Sequence, residues 1–335
     1  MNSYNYFLGN DIGKSTVAVC VIDEQEKRQL ELSIPNTSEG MQTLLDKLQT
    51  LPEFSLQTTL FCMEHTGVYC QPMVSFFYAL GADLWLQSAV HIKHSLGLTR
   101  GKTDKADARN IAKYCIRHLA DKRLFTLTDS ELQRVRQLAQ QRDRLMEMAK
   151  TITDLGQDYQ AMGLTQALQI HHQTSDKVLL ALRQQIKVVE ARIQKEIKGS
   201  AALKANMDLL TSIPGVGRQT ALFMLIFTAN FTRFDDPKKL ASYAGVAPFA
   251  YESGTSVRGR TKVSQMANMK LKYLLHMAAL GAVRTEGEMR EYYQRKVATG
   301  KKKMSVLNAV RNKLVHRMMA VMERGTPYTT ACPKI

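Results

Sequence analysis

Two long polar stretches in the middle of the chain carry apolar residues at heptad spacing, and this feature restricts the fold more than any other. The first stretch begins at Asp129, and its seam residues are Leu138, Leu145, Met148, Ile152 and Leu155. The second runs from Thr174 to Lys198, and its seam residues are Leu179, Leu182, Ile186, Val189 and Ile193. Such seams predict an antiparallel coiled-coil hairpin, packed either on itself or between protomers.

The segment between the two seams contains Gly163 and the pair His171-His172, and it marks the break in the hairpin. We expect these histidines to be exposed loop residues, because no third metal ligand lies near them in sequence. The hairpin divides the chain into three predicted domains, residues 1–127, 128–199 and 200–335.

Strands and helices alternate before the hairpin. Four runs rich in apolar and β-branched residues predict strands. They are Thr16–Ile22, Gln29–Ile34, Thr58–Met63 and Leu84–Leu86. Helical patterns follow the second run, from Met41 to Leu48, and the third, from Tyr69 to Leu80. This order favours an α/β domain with a mixed sheet, in which the continuously apolar third run is a central strand.

Four carboxylates lie at the ends of predicted elements in this first domain. Asp11 closes or follows a first strand that begins at Tyr6, before these four runs, and Glu64 ends the third run. Carboxylates are depleted at the ends of buried strands unless they have a partner or a metal. Asp104 and Asp107 lie at the start of a predicted helix. Capping of that helix by Asp104 explains this pair of carboxylates as well as a functional role does. If the four converge they need cations, and hard oxygen ligands of this kind suit Mg²⁺.

The stretch YESGTSVRGR, residues 251–260, changes from small and polar to strongly basic. Gly254 restricts the backbone little, so a loop here would let Ser253 approach a phosphodiester and attack it. Ser256 is the rival nucleophile, and a flexible basic loop without chemistry has the same composition. Basic side chains that could contact the nucleic-acid backbone are Arg258, Arg260 and Lys262.

A second predicted contact with nucleic acid is the Pro-Gly-Val-Gly turn that ends at Gly217, before a helical run from Arg218 to Phe227. This is the pattern of a helix-hairpin-helix, in which Gly215 and Gly217 let backbone amides reach a phosphate. A plain connection between two helices has the same pattern. Further on, apolar spacing predicts a core helix near Leu271 and a basic amphipathic helix after Lys301.

Basic residues are also dense between Lys93 and Arg123, and they include Lys102 and Arg109. They could hold a nucleic-acid backbone or form a solvated face. The whole chain has 46 Lys and Arg against 30 Asp and Glu, a formal net charge of +16, which favours a polyanionic partner. We expect no membrane partner, because no apolar run approaches the ~18–20 residues of a spanning helix.

Five scattered cysteines without metal-ligand spacing predict reduced thiols in a cytosolic compartment.

Taken together, the motifs resemble those of one known family. Asp11 in GNDIGKS, Glu64 in MEHTGVY, and Asp104 with Asp107 in KTDKADARNIA resemble the DEDD tetrad of a RuvC-like, RNase H-fold domain. That domain occurs in the transposases of insertion-sequence family one hundred and ten, which includes pilin-gene invertases and bridge-RNA-guided recombinases. The downstream IPGVGRQTA, FDDPKKLASYAGVAPF and YESGTSVRGR resemble the second, transposase domain of that family.

The resemblance covers nearly the whole chain and implies an RNase H-like (RuvC-like) α/β domain, a coiled-coil hairpin and a mainly α transposase domain. It implies that the DEDD tetrad holds Mg²⁺ and that Ser253 forms a covalent phosphoserine with DNA. Donor and target DNA would be chosen by a guide (bridge) RNA. We expect a homo-oligomer, dimer or tetramer, in the bacterial cytoplasm at the nucleoid, with a composite site formed between protomers.

Three other functions stay open on the sequence. The first is a RuvC-type, Mg²⁺-dependent structure-specific endonuclease that uses water as nucleophile. The second is a sugar-kinase or actin-like ATPase, since such folds also begin with an Asp-x-Gly turn, although +16 suits it poorly. The third is a non-catalytic nucleic-acid binder, which leaves Asp11 and Glu64 unexplained.

Overall fold

The computed structural model describes residues 4–95, 103–125, 130–253, 257–263 and 267–329. The chain divides into two compact units, Met1–Leu127 and Thr128–Ile335. The first is built on a sheet and the second mainly on helices. The predicted order of a mixed α/β region followed by a mainly helical region is therefore confirmed, while a separate domain at residues 128–199 stays a prediction.

Five strands form one sheet in the first unit. They are β1 (Tyr6–Ile12), β2 (Thr16–Asp23), β3 (Arg28–Pro35), β4 (Thr59–Glu64) and β5 (Asp83–Gln87). Their spatial order is β3-β2-β1-β4-β5. β2 is antiparallel to both of its neighbours, whereas β1, β4 and β5 are parallel to one another. The sheet is mixed, and buried β4 lies inside it, as its apolar sequence predicts.

Helices cover both faces of this sheet. They are α1 (Ser38–Leu48), α2 (Gln71–Ala79), α3 (Ala89–Ser95) and α4 (Asp104–Arg117). Short 3-10 turns occupy Leu56–Thr58, Gly67–Cys70 and Leu119–Asp121. One apolar core lies between the sheet and α1 with α2, and a second lies between the opposite face and α4. Because side chains alternate along a strand, Leu8 belongs to the first core and Phe7 to the second.

The second unit begins with the predicted hairpin, formed by α5 (Ser130–Ala161) and α6 (Thr165–Gly199). Gly163 in the turn has φ +71°, a conformation that glycine adopts without strain. The seam predicted for α6 is confirmed at Ile186 and Ile193, which are buried. On α5, Met148 and Leu155 are exposed, so they do not pack inside the hairpin, and a seam between protomers stays a prediction.

The two histidines lie inside α6, and the prediction of an exposed loop at them is wrong. The ring of buried His171 lies 5.9 Å from that of Tyr159. A methyl group at Gly156 would come within 3.1 Å of the His171 ring. His172 is exposed and lies 3.3 Å from the Asp176 carboxylate. The apolar pattern is interrupted here because the ring of His171, and not an aliphatic side chain, packs against Gly156 near the end of the hairpin.

Six further helices lie among the described residues of the second unit. They are α7 (Ala201–Thr211), α8 (Arg218–Phe227), α9 (Pro237–Tyr243), α10 (Met269–Arg284), α11 (Glu288–Ala298) and α12 (Lys303–Arg324). Their core includes Leu132 and Ile197 from the base of the hairpin. The predicted amphipathic character of α12 is confirmed, since Val310 and Leu314 are buried. The strands β6 (Pro248–Ser253) and β7 (Val257–Val263) pair antiparallel between α9 and α10.

Among the helices described for this chain, none combines the length and apolar character that crossing a bilayer requires. Four of the cysteines are free and buried, namely Cys20, Cys62, Cys70 and Cys115.

Candidate active site

Asp11 and Glu64 lie side by side at the ends of two neighbouring parallel strands. The register pairs Gly9 of β1 with Cys62 of β4, so two residues further on Asp11 is level with Glu64. Residues two apart on a strand point to the same face of the sheet. Both carboxylates therefore extend from the face of Gly9 and Cys62, which α4 covers.

Gly9 sets the distance between this face and α4. A Cβ at residue 9 would lie 2.0 Å from the backbone oxygen of Ala108 and 2.2 Å from the backbone nitrogen of Ala112. Because both contacts are with backbone atoms, no side chain fits there. Only glycine lets the helix rest directly on β1, two residues before Asp11.

Two ion pairs show the direction of α4. Arg109 binds Glu31, and Arg117, two turns later, binds Glu26, each at 2.8 Å. Arg117 follows Arg109 along α4, whereas its partner Glu26 precedes Glu31 along the chain. The helix therefore runs in the direction opposite to β3. Since β2 is antiparallel to both β1 and β3, α4 also runs opposite to β1. Its first turn lies at the end of the sheet where β1 and β4 end.

Asp104 and Asp107 occupy this first turn. The N-cap is Thr103, whose side-chain oxygen accepts a hydrogen bond from the backbone nitrogen of Ala106 at 3.2 Å. Asp104 is therefore not the cap, and the interpretation of it as a plain capping residue is wrong. The positive end of the helix dipole stabilises both carboxylates. We call Asp11, Glu64, Asp104 and Asp107 the carboxylate site.

The carboxylate site consists of hard oxygen donors, the ligands that Mg²⁺ and related divalent cations prefer. Asp104 is exposed, and the other three residues are half-buried. Within the described ranges, no three His, Cys, Asp or Glu side chains lie close enough together to surround one metal ion. The carboxylate oxygens are suitable ligands for a divalent cation. To coordinate one cation together, the four side chains would have to move closer to one another.

Asn10 is a residue at this site that the sequence reasoning missed. It is fully buried, and its Nδ2 donates to the backbone oxygen of Cys62 at 3.0 Å. Its Oδ1 has no hydrogen-bond partner among the described residues. The bond ties β1 to β4 one residue before Asp11. The sequence signal for Asn10 is an asparagine inside an otherwise apolar strand. Buried polar side chains are uncommon and are normally hydrogen-bonded, so such a residue is expected to have a structural partner.

The candidate nucleophile Ser253 is the last residue of β6, and its backbone is paired with that of Val257 at the start of β7. The expectation of a loop is wrong for residues 251–253 and 257–260, which are strands. The rival serine, Ser256, lies outside the described residues. The basic residues predicted to contact nucleic acid lie along the backbone of β7, at Arg258, Arg260 and Lys262.

Two asparagines hold the root of this hairpin. Asn268, the N-cap of α10, donates its backbone nitrogen to the backbone oxygen of Tyr243 at 2.9 Å and its Nδ2 to the Tyr243 hydroxyl at 3.0 Å. Asn308 of α12 donates its Nδ2 to the backbone oxygen of Val246 at 2.9 Å. The segments before β6 and after β7 are thereby tied to the helical core.

The two glycines of the turn before α8 have different surroundings. Gly215 has φ +88°, and a Cβ there would come within 2.5 Å of the backbone oxygen of Ala278 on α10. Packing against α10 is a sufficient reason for Gly215, and its contact with a phosphate stays a prediction. Gly217 is exposed and is the N-cap of α8 without a side-chain cap. A Cβ at Gly217 would meet nothing within 4 Å, so close packing does not explain this glycine, and its contact with a phosphate stays a prediction.

Arg109, a candidate for binding nucleic acid, already has a structural contact. Its guanidinium donates to Glu31, which raises the pKa of Arg109 and lowers the pKa of Glu31. This bond holds α4 against β3. Lys102, the other candidate in that segment, lies outside the described residues.

Two family models match the chain. A model described as Transposase, of the DEDD type in the IS110 group, matches residues 8–158. A second model, described as Transposase IS116/IS110/IS902 family, matches residues 207–294. The first match covers the carboxylate site, and the second covers the turn before α8 and both strands of the β6–β7 hairpin.

Several relatives are similar to this chain. The pilin gene-inverting proteins of Moraxella bovis and Moraxella lacunata are each 24% identical over 328 residues, which is 96% of this chain and 97% of the relative. An uncharacterized 43.6 kDa protein of insertion element IS110 from Streptomyces coelicolor is 32% identical over 157 residues, which is 46% of this chain and 37% of the relative.

Proposed function

The chain belongs to the IS110/IS116/IS902 family of transposases, and on that premise we propose that it cuts and rejoins the DNA of an insertion sequence through a covalent phosphoserine at Ser253. Enzymatic DNA cleavage and transfer is the activity expected of this family. The observation that carries the proposal is the placement of Asp11 level with Glu64 on adjacent strands, at the end of the sheet where α4 begins.

We assign the first unit to the RNase H-like (RuvC-like) architecture. The strand order β3-β2-β1-β4-β5, with β2 antiparallel and three parallel strands beside it, supports this assignment. So does the match of the DEDD transposase model to residues 8–158.

In the proposed enzyme, the carboxylate site holds Mg²⁺. When bound, the ion would polarise the scissile phosphate and balance its developing charge. The chain itself supplies the positions of the ligands. Asn10 joins β1 to β4, and Gly9 brings α4 onto β1. The dipole of α4 offsets the repulsion between Asp104 and Asp107, which share its first turn.

The proposed reaction exchanges one phosphodiester for another. The Oγ of Ser253 attacks phosphorus, a bond from phosphorus to Oγ forms, and the bond from phosphorus to the oxygen of one DNA strand end breaks. The proton of the serine leaves with the hydroxyl of the released strand end. Attack by a new strand end on the phosphoserine reverses these changes and reseals DNA without ATP. Arg258 and Arg260 would offset the charge on the phosphate.

The proposed partners are donor and target DNA, a guide (bridge) RNA that pairs with both, and further copies of this chain in a dimer or tetramer. The net charge of +16 supports nucleic-acid partners. The names of the Moraxella relatives support recombination. The exposed apolar residues Met148 and Leu155 on α5 support self-association through the hairpin. We expect the protein to act in the bacterial cytoplasm, at the nucleoid.

The second candidate function is a RuvC-type endonuclease that uses water as nucleophile. It is favoured by one observation, that all four acidic residues of the carboxylate site belong to the first unit. In that case the β6–β7 hairpin would bind only the nucleic-acid backbone.

A covalent-adduct assay tests the proposal. The protein is expressed with its flanking DNA so that a guide RNA can form, mixed with labelled junction DNA and Mg²⁺, and denatured, and label retained on protein is measured. We expect an adduct in the wild type and in Ser256→Ala. We expect none in Ser253→Ala or in Asp11→Asn.

Cleaved DNA without an adduct, dependent on Asp11 and indifferent to Ser253, would instead establish the endonuclease. Loss of the adduct in Ser256→Ala alone would move the nucleophile to that residue.

A further inference from the structure

The backbone pairing between β1 and β4 ends just before the two strand-end carboxylates. The last pair along these strands is Asn10 with Met63. One residue further on, the backbone of Asp11 pairs with β2, and that of Glu64 pairs with β5. The ladder that joins β1 to β4 therefore stops one residue short of the carboxylate site.

The side chain of Asn36 joins the two turns that follow these carboxylates. Its Nδ2 donates to the backbone oxygen of Gly13 at 3.0 Å and to that of Tyr69 at 2.9 Å. Gly13 follows Asp11 closely, in the turn between β1 and β2. Tyr69 belongs to the 3-10 turn that follows Glu64. One amide thus spans the place where the pairing of β1 with β4 ends.

The turn after Glu64 has internal bonds of its own. The thiol of Cys70 donates to the backbone oxygen of Glu64 at 3.3 Å and accepts from the backbone nitrogen of Thr66 at 3.1 Å. Cys70 is buried, and it directly follows the residue whose backbone oxygen accepts from Asn36. A connected path of bonds therefore runs from Asn36 through Cys70 to the backbone of Glu64.

Asn36 is itself held on both sides by the backbone. Its backbone nitrogen donates to the backbone oxygen of Ser15 at 2.9 Å, which extends the pairing of β2 with β3. Thr37, the next residue, is the N-cap of α1. A Cβ at Gly40 would lie 2.0 Å from the backbone oxygen of Pro35, so α1 packs directly on this segment. The fold therefore fixes the place from which the Asn36 amide reaches the two turns.

The orientation of the Asn36 amide follows from its neighbours. Both neighbours of Nδ2 are carbonyl oxygens, so a donor and not an acceptor must face them. The Oδ1 atom is buried and has no hydrogen-bond partner among the residues that the structure describes. An unsatisfied buried acceptor costs stability, and such costs are typically retained at functional sites.

We propose that Asn36 is a positioning residue of the carboxylate site, which fixes Asp11 relative to Glu64 by tying together the turns that follow them. With both backbones fixed, the two carboxylates need only side-chain rotation to reach a common cation. This role rests on the proposed function, in which the carboxylate site holds a divalent cation. Residues that orient metal ligands commonly change metal affinity about 10–100-fold when they are replaced.

The test measures binding of Mn²⁺, which takes the same oxygen ligands as Mg²⁺, to the metal-free full chain without DNA. The electron paramagnetic resonance signal of free Mn²⁺ reports binding. Asn36→Ala should weaken binding about tenfold, since the residue acts through backbone atoms and not on a ligand side chain. Asn36→Gln keeps the amide on a longer side chain and should bind Mn²⁺ more tightly than Asn36→Ala. Asp11→Asn removes a ligand and identifies the binding that belongs to the carboxylate site.

The matched control is Tyr6→Phe. The Tyr6 hydroxyl donates to the backbone oxygen of Pro52 at 2.7 Å, and Tyr6 begins β1, at the opposite end of the strand from Asp11. Both Tyr6→Phe and Asn36→Ala should lower the melting temperature of the metal-free protein, because each loses hydrogen bonds to backbone oxygens. Asn36→Ala should in addition weaken Mn²⁺ binding, whereas Tyr6→Phe should bind Mn²⁺ as the wild type does.

The outcomes separate this role from the proposed function. Weaker Mn²⁺ binding in Asp11→Asn together with wild-type affinity in Asn36→Ala would overturn the role of Asn36 and leave the carboxylate site intact. Equal affinity in the wild type and Asp11→Asn would overturn the carboxylate site and the role of Asn36 with it.

The covalent-adduct assay supplies a second measurement. Asn36→Ala should need about tenfold more Mg²⁺ than the wild type to reach half of its maximal adduct yield, and it should approach the wild-type yield at saturating Mg²⁺. A yield reduced by the same factor at every Mg²⁺ concentration would contradict a role in positioning the metal ligands.

Discussion

The carboxylate site and the candidate serine are held by the fold in different ways. Asp11 lies on β1, which has hydrogen-bonded strands on both sides and α4 packed on one face. Ser253 ends a strand of a two-stranded sheet, which Asn268 and Asn308 hold at its root. A two-stranded ribbon has marginal stability by itself. The position of the carboxylates therefore depends on core packing, whereas that of the serine depends on a few hydrogen bonds.

The largest effects are expected from methyl groups at the two closely packed glycines, one in each unit. Gly9→Ala would force backbone atoms of α4 away from β1 and should destabilise the first unit by roughly 3 kcal/mol or more. Gly215→Ala meets both a backbone contact and a positive φ, and should cost the second unit a similar amount, roughly 2–4 kcal/mol. Urea unfolding should be followed by two signals.

Fluorescence of Trp85, the single tryptophan, reports the first unit, while far-UV circular dichroism reports mainly the helices of the second. The control is Gly199→Ala near the end of α6, where a Cβ meets nothing within 4 Å. It should be neutral or stabilising by up to about 1 kcal/mol. Equal losses at residues 9 and 199 would contradict the explanation by close packing.

An intermediate effect is expected at the hairpin root. Asn268→Ala removes two side-chain hydrogen bonds. One is the N-cap of α10, in which Oδ1 accepts from the backbone nitrogen of Leu271 at 3.0 Å, and the other is the bond from Nδ2 to the Tyr243 hydroxyl. We expect a loss of about 1–2 kcal/mol in the second unit and a reduced yield of the covalent adduct. Thr103→Ala, which removes the cap of α4, should cost the first unit about 1 kcal/mol.

Asn268→Asp separates the two roles of this residue, because aspartate keeps the cap acceptor and loses the donor to Tyr243. It should retain most of the stability and lose part of the adduct. A wild-type adduct yield in Asn268→Asp would show that the bond to Tyr243 does not position the hairpin.

The smallest effect is a pH dependence confined to the second unit. Buried Arg311 donates to Nδ1 of His276 at 2.7 Å, and since a guanidinium has only donors, His276 accepts and is neutral. Burial and the charge of Arg311 lower the pKa of His276. Below about pH 6.5 the unfolded chain then binds more protons than the folded chain at this residue. Stability contributed here is present above that pH and declines as pH falls through it.

Unfolding by circular dichroism between about pH 5 and 8 measures this change. His276→Gln should flatten the profile, because glutamine can accept the bond from Arg311 and cannot be protonated. Identical pH profiles in the wild type and His276→Gln would rule out this histidine as the source.

Much of the fold could be predicted from sequence, because periodic patterns are local. The bounds of α8 and the buried face of α12 agree with the patterns that predict them. The β6–β7 hairpin could not be predicted in the same way, since glycine, serine and arginine have weak strand preference and strand pairing depends on the partner strand. The cap of α4 was misassigned because Thr103 and Asp104 are both good capping residues.

The candidate site shows the same limit. Carboxylates at strand ends predict where Asp11 and Glu64 lie, but the bond from Asn10 to Cys62 joins residues 52 positions apart. Its geometry depends on the pairing of β1 with β4, which no local pattern contains.

Local patterns along the chain are enough to predict the alternation of strands and helices in the first domain, the excess of positive charge, the acidic residues at strand ends and the family resemblance. The folded structure is needed to see that a side chain at Gly9 or Gly215 would collide with backbone atoms of a packed helix, whereas a Cβ at Gly217 would meet nothing within 4 Å. The folded structure also distinguishes two arginines of α5. Arg134 forms an ion pair with Glu196, whereas Arg136 has no acidic partner among the described residues. Periodicity arises from neighbours along the chain, but close approach and charge pairing depend on residues that are distant in sequence and that folding brings together.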